Sequence, residues 1–271
     1  MTLVVLGDLM VDVVVRTSGP LARGSDTPAA VALRSGGSGA NVAAWAAWLG
    51  TPVVLGCRVG DDDYGRAAVA GLRGVDVRAE VDPVRPTGTC IVLVEPGGER
   101  TMLPDPGAND GPLPDVEPGD HLHVVGYALL RDGPRASALA AIERARAAGM
   151  TVSVDPSSWA LIRPGAIPAV DLLLPNEREA ELVSGEMVVK LGAGGARWDD
   201  IRVPAEPVMV VDTTGAGDAF AAGFLSARLD GAGRREALEA GCRVAGHAVA
   251  QVGARPRTID SSVNGIGDRN A

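Results

Sequence analysis

Val208-Met-Val-Val211 runs directly into Asp212-Thr-Thr-Gly-Ala-Gly-Asp218 and then Ala219-Phe220, and the reading of this stretch decides the fold. The apolar run predicts a strand and Ala219 to Leu229 a helix, so the link between them is a strand-to-helix corner. Gly215, Ala216 and Gly217 carry almost no side chain. A polyanion can therefore come close to the backbone while the first unpaired N–H groups of the helix point at it. Asp218 sets a carboxylate at the mouth of this anion hole, where it can take the proton of an alcohol lined up on a phosphoryl group. A first-turn acid favoured by the helix dipole, with glycines for a tight turn, would explain one Asp and one Gly but not the whole string.

Working outward, Leu3–Leu6, Val11–Arg16 and Ala30–Leu33 read as strands, and Ser35-Gly-Gly-Ser-Gly39 leads into an alanine-rich helix, 40–49, closed by Gly50. Val53–Leu55 is the next strand, and Gly60 to Gly65 opens a helix ending near Gly74. Cys90–Val94 and Glu99–Leu103, parted by Pro-Gly-Gly, form a hairpin that interrupts the alternation. From Leu122 the alternation resumes: strands 122–125, 151–154, 172–174 and 187–191, with helices 135–148 and 177–183, then the corner and two last helices, 219–229 and 235–252. This order predicts an α/β protein: a mainly parallel central sheet in a three-layer α/β/α arrangement, with ligands beyond the carboxyl ends of the strands. One kinase domain, 1–271, is expected. Segments 11–34 and 86–104, which do not fit the alternation, are assigned to a small β-sheet lid over the site. The tail from Arg257 is expected to be loosely ordered.

The 271 residues are 46% hydrophobic, enough for a sizeable core. With 25 basic against 34 acidic residues and a net charge of -9, no broad electrostatic footprint for nucleic acid or an anionic membrane exists. A small anionic ligand would need local donors; Lys190 is the only lysine, a bias toward arginine that reads as coding bias but makes its position worth noting. Cys57, Cys90 and Cys242 are scattered without a C-x-x-C pair, so neither a disulfide framework nor a zinc site is expected. The N-terminus is too soon acidic for a signal peptide and no apolar run reaches spanning length, so the cytoplasm is the expected setting.

Three distant segments add chemistry. Gly36-Gly37-Ser38-Gly39-Ala40-Asn41 brings backbone near a ligand and offers Asn41 as donor and acceptor; read alone, a glycine loop with a helix-capping Asn fits equally well. Asn176 and Glu179 lie at i and i+3 after Pro175. They could hold the water shell of Mg²⁺, although capping alone would account for them. Lys190-Leu-Gly192-Ala-Gly194 is a strand running into glycines, suited to a nucleotide lying against bare backbone, with Thr214 on the nucleotide side of the corner. Asp8 and Asp12 follow the first strand, and Asp12 is the better placed to accept hydrogen bonds from paired sugar hydroxyls. His121 and His123 share a strand face without a third metal ligand, so ordinary hydrogen-bonded histidines are expected. Asp61 to Asp63 read as a helix cap, and Trp45 with Trp48 as packing. No P-loop or dinucleotide fingerprint occurs.

At this point the residues carry a resemblance. Gly36 to Ala43, with Gly50 and Gly60, resembles the first signature of the pfkB family of carbohydrate kinases, the ribokinase-like fold, and Asp212 to Asp218 resembles the second. Asn176 with Glu179, Lys190-Leu-Gly192 and Gly107-Ala-Asn109 are similar to further family patterns, over roughly residues 3 to 256. The resemblance implies ATP and Mg²⁺ as co-reactants, Asp218 as catalytic base, and the N–H groups of Gly215, Ala216 and Gly217 as the phosphate hole. It implies Asp12, Gly36, Gly37 and Asn41 at the sugar, and Asn176, Lys190, Gly192, Gly194 and Thr214 at the nucleotide, with Glu179 near the metal. Two departures stand out. Only a few residues separate Glu181 from Met187, where the family inserts another helix, which puts adenine contacts at Gly246 and His247 in question. Ser38 and Met10 stand where ribokinase has lysine and asparagine, so ribose is not favoured over fructose, ketodeoxygluconate or nucleosides. The expected activity is transfer of phosphate to a primary hydroxyl of a sugar, sugar acid or nucleoside. The rivals are a non-catalytic sugar or nucleotide sensor and a hydroxymethylpyrimidine-type kinase. An exposed lid edge could pair with a second subunit.

Overall fold

The computed structural model describes residues 1–97 and 99–257. The expectation for the tail beyond Arg257 lies outside the described residues. In chain order the strands are β1 (Leu3–Leu6), β2 (Met10–Thr17), β3 (Ala29–Gly36), β4 (Val53–Gly60), β5 (Asp76–Asp82), β6 (Thr89–Val94), β7 (Arg100–Asp105), β8 (His121–Val125), β9 (Thr151–Asp155), β10 (Leu172–Leu173), β11 (Val188–Lys190), β12 (Ala196–Trp198) and β13 (Ile201–Val203). The helices are α1 (Ser38–Trp48), α2 (Asp63–Ala70), α3 (Tyr127–Leu130), α4 (Asp132–Ala147), α5 (Glu177–Ala180), α6 (Ala216–Leu229) and α7 (Arg234–Val249).

Six parallel strands in the order β10-β9-β8-β1-β4-β5 form the central sheet. β1 sits in the middle and all four of its residues are buried, the continuous apolar run that a strand covered on both faces requires. Its alternation divides the core. Leu3 and Val5 face a cluster built with α1, α6 and α7, whereas Val4 and Leu6 face one built with α3 and α4. This is the three-layer α/β/α architecture expected from the alternation. No helix of the described residues is long and apolar enough to cross a membrane.

A second sheet, β3-β2-β6-β7, is antiparallel at both edges and parallel between β2 and β6. It contains the two segments that broke the alternation. One face of this sheet is buried by Met10, Cys90 and Val92. On the other, Leu33, Val13, Ile91 and Leu103 align across all four strands.

The structure corrects two expectations in the last third. Val208–Val211 is not a strand, because β12 and β13 close a small antiparallel sheet with β11 and leave the run no partner. The chain passes instead over the end of α7, where the N–H groups of Val211 and Asp212 both donate to the Val249 carbonyl at 2.7 and 3.1 Å. The helix expected over 177–183 is the single turn α5, and the chain reaches β11 from it without another helix.

Candidate active site

Helix α6 begins at Gly215, whose φ of 74° is left-handed, a conformation that costs glycine little. A Cβ there would also lie 2.7 Å from that of Ala254. No side chain caps the helix, which leaves first-turn N–H groups free to meet a ligand. The N–H of Ala216 is partly spent, donating to the Thr213 carbonyl at 3.3 Å.

Asp218 stands in the first turn of α6, and α1 packs against this helix. Two side chains of α1 hold the carboxylate: Ser38 Oγ donates to Oδ1 at 2.5 Å and Asn41 Nδ2 to Oδ2 at 2.9 Å. The two motifs, about 180 residues apart in sequence, thus meet at one carboxylate. Burial raises its pKa to about 7, against the lowering effect of the two hydrogen bonds. A carboxylate poised at neutral pH suits a general base.

On the side of the second sheet, Asp12 is buried on β2, its pKa raised to about 6 by burial and by the charge of Asp8, against the lowering effect of Arg255. Its carboxylate accepts no hydrogen bond among the described residues, so it keeps its lone pairs for a ligand. Gly36 allows this arrangement: a Cβ there would fall 2.2 Å from Asp12 Oδ1. Gly37 is required by packing, since its φ of 92° is left-handed and a Cβ would strike the Asp8 carbonyl at 2.6 Å. Asp8 is structural. It accepts the Gly39 N–H at 3.3 Å, and burial raises its pKa. Asn109 is structural as well, bonding the N–H and carbonyl of Leu9 in the turn after β1.

On the other side of Asp218 lies a cleft of about 540 Å³ lined by Lys190, Gly192, Gly195, Val208, Val210, Thr213, Ala216, Gly217, Phe220, Gly246 and Val249 among others. Val208 and Val210 form part of its wall, and a flat apolar ligand group has carbon to lie against. Gly192 opens into it, with a left-handed φ of 54° and nothing near its missing side chain. Gly194 instead faces Arg202, and His247 packs against the Trp48 ring, 5.7 Å between centroids.

Lys190 joins the two halves. Its ammonium pairs with Asp155 Oδ2 at 2.5 Å and would sit 3.3 Å from a Cβ on Gly217, which places positive charge at the mouth of the hole. Asn176 and Glu179 are spent on each other in a capping box, Glu179 N donating to Asn176 Oδ1 at 3.0 Å and Asn176 N to Glu179 Oε2 at 2.9 Å. Glu179 is buried, and desolvation and the Asp155 charge push its pKa up. Among the described residues no three His, Cys, Asp or Glu side chains are grouped to hold a metal. The donor set does fit Mg²⁺ carried mostly on water and phosphate, with Glu179 Oε1, which accepts no hydrogen bond among the described residues, as the protein's oxygen.

Thr214 departs from its expected place. Its hydroxyl accepts a hydrogen bond from Arg100 of β7 at 2.5 Å, and the same guanidinium pairs with Asp212 Oδ1 at 2.8 Å. Arg100, Asp155 and Arg255 were not singled out by sequence. Their partners lie 35 to more than 200 residues away, and no local spacing announces such pairs.

The model of the pfkB family of carbohydrate kinases matches residues 1–260. The chain is 32% identical to a fructokinase of Klebsiella pneumoniae over 82% of each chain. Its fold is similar to that of an adenosine kinase from Sinorhizobium meliloti, with a TM-score of 0.79 and 26% identity over 94% of this chain and 95% of that one. It is similar too to an Arabidopsis thaliana ribokinase solved with ribose and ATP, with a TM-score of 0.76 and 25% identity over 93% of each. With both signature segments joined at one carboxylate and the family model matched along almost the whole chain, the protein belongs to the pfkB family of carbohydrate kinases.

Proposed function

We propose that this carbohydrate kinase uses ATP to phosphorylate a primary hydroxyl of a sugar, sugar acid or nucleoside, with Asp218 as general base. The observation that carries this reading is the seat of Asp218, held by Ser38 and Asn41 beside an uncapped helix N-terminus, with its pKa raised to about 7. Asp12 and Asn41 form the acceptor wall, and the apolar cleft beside Gly192 and Gly246 takes the base of the nucleotide. Asp218 removes the proton as the alcohol oxygen forms its bond to the terminal phosphorus. The bond from that phosphorus to the bridging oxygen breaks, and ADP leaves. The N–H groups at Gly217 and the ammonium of Lys190 stabilise the charge on the transferring group. Mg²⁺, when bound with the nucleotide, would neutralise phosphate charge, with Glu179 acting through its water shell.

The β3-β2-β6-β7 sheet is read as a lid over the acceptor. The apolar row on its outer face supports a second copy of the chain as its partner. Three buried free cysteines fit a reducing cytoplasm.

The test is an ADP-release screen over sugars, sugar acids, nucleosides and a hydroxymethylpyrimidine with Mg²⁺. Turnover with one of the first three classes, lost in Asp218→Asn by about 10²–10⁴-fold, is the expected result. Binding of sugar and ATP without ADP formation would make the protein a sensor instead.

A further inference from the structure

After α7 the chain turns back across the corner that precedes α6. Gly253 N donates to Asp212 Oδ2 at 3.0 Å, the Ala254 carbonyl accepts Trp45 Nε1 at 2.9 Å, and Ala254 lies against Gly215. The segment is therefore fixed at each residue before Arg255. From there the guanidinium enters the acceptor end of the site, where Nη2 donates to the Gly36 carbonyl at 2.7 Å and Nε to Asn41 Oδ1 at 3.2 Å. Burial lowers its pKa only to about 10, so it is charged at neutral pH.

The contact with Asn41 has a consequence for Asp218. A carboxamide has a donor end and an acceptor end, and without a partner it can turn either toward a neighbour. An arginine can only donate, so its Nε–H requires Oδ1. The other end, Nδ2, is then the one that meets Asp218 Oδ2 at 2.9 Å. Reversed, the amide would set its oxygen against the carboxylate and leave the guanidinium N–H unsatisfied, a costly arrangement in a buried site.

We propose that Arg255 is the positioning residue of the base: it locks the Asn41 amide so that its N–H₂ faces Asp218, and so fixes the carboxylate at the mouth of the glycine corner. The proposal rests on the reading of Asp218 as the base. The charged and titratable groups around this chain of contacts are Asp8, Asp12 and Cys57 facing Arg255, and Asp155, Lys190 and Tyr127 facing Asp218. Lys190 and Asp155 do not touch Arg255 and keep their own pair.

The experiment is a double-mutant cycle on kcat and its pH dependence, using wild type, Arg255→Met, Asn41→Ala and the double variant, with Asp218→Asn as reference. Arg255→Met is expected to lower kcat by about 10–100-fold, the scale for misplacing a reacting group, to move the acid limb to higher pH, and to leave the KM for ATP unchanged. In the Asn41→Ala background the same change should cost less than about twofold, because the partner through which it acts is gone. Losses that multiply, or a loss confined to the KM of the acceptor with the acid limb unmoved, would overturn the proposal and make Arg255 a substrate contact. Should Arg255→Met not fold, Arg255→Gln, whose amide can donate or accept and so no longer dictates which end of Asn41 faces it, carries the same cycle with the same expected coupling. Full turnover in Asp218→Asn would remove the base reading itself, which separates the two failures.

Discussion

Asp218 is pulled two ways: burial favours its neutral form, and hydrogen bonds from Ser38 and Asn41 favour its charge. The balance leaves it half-ionised at about pH 7. A base works only when ionised, so kcat should fall about tenfold per unit as pH drops below this value, and level off above it. Ser38→Ala removes a bond to the charged form. The acid limb should then move upward by about one unit, given roughly 1.5–3 kcal/mol for such a bond before water replaces part of it. A kcat–pH profile of both proteins checks this, and an unmoved limb would mean that another group titrates. Gly36 is a second residue whose role is steric. In Gly36→Ala the new methyl would displace the Asp12 carboxylate from 2.2 Å, and the KM of the acceptor should rise about tenfold while that of ATP holds. Asp218, Asn41 and Gly215 could be singled out because each lies in a short motif, and the structure brings Asp218 and Asn41 into contact. Arg255 and Arg100 were not, since each reaches its partner across more than 100 residues and neither lies in a recurring pattern.

At the scale of elements, continuous apolar runs such as Leu3–Leu6 found the central strands because both faces of the sheet are covered. The same signal misled at Val208–Val211, where Val208 and Val210 line a cleft rather than a sheet interior. Composition alone cannot tell a strand from the wall of a binding site. The strand pair β8–β9 shows the reverse, polar residues inside a core. His121 shares Thr151 and Ser153, and His123 also bonds Ser153. Burial is the main cause for each ring and pushes both pKa values down to about 3. Between about pH 6.5 and 3 the unfolded chain binds protons that the folded one refuses, so this pair contributes full stability above 6.5 and loses it as pH falls, by up to about 1.4 kcal/mol per histidine per unit. Asp12 and Asp218, raised to about 6 and 7, act in the opposite sense, since the folded state holds their protons longer. The melting temperature of His121→Gln should therefore fall less steeply than that of the wild type between pH 6.5 and 5, and identical slopes would count against a neutral buried ring.

For the molecule as a whole, the alternating pattern was enough to indicate a layered α/β body, whereas the way the second sheet is covered is a property of tertiary assembly. Its inner face carries Asp12, Cys90 and Val92 toward the site. On its outer face Val31, Leu33, Ile91 and Leu103 are 63%, 49%, 44% and 56% exposed, in rows that the strand register aligns. A four-stranded sheet that is apolar on both sides and buried on one leaves a patch that water does not favour. A two-fold related copy would cover that patch with the same patch, the simplest closed assembly. Light scattering on the eluting protein should then give twice the 27.6 kDa of one chain. Ile91→Asp, a charge in the middle of the row, should halve that mass without unfolding the protein. Because the sheet that would lose its partner also holds Asp12, the same variant should bind its acceptor more weakly while its nucleotide KM stays close to the wild-type value. A wild-type monomer, or an Ile91→Asp dimer, would show that the outer face serves something other than a second copy of this chain.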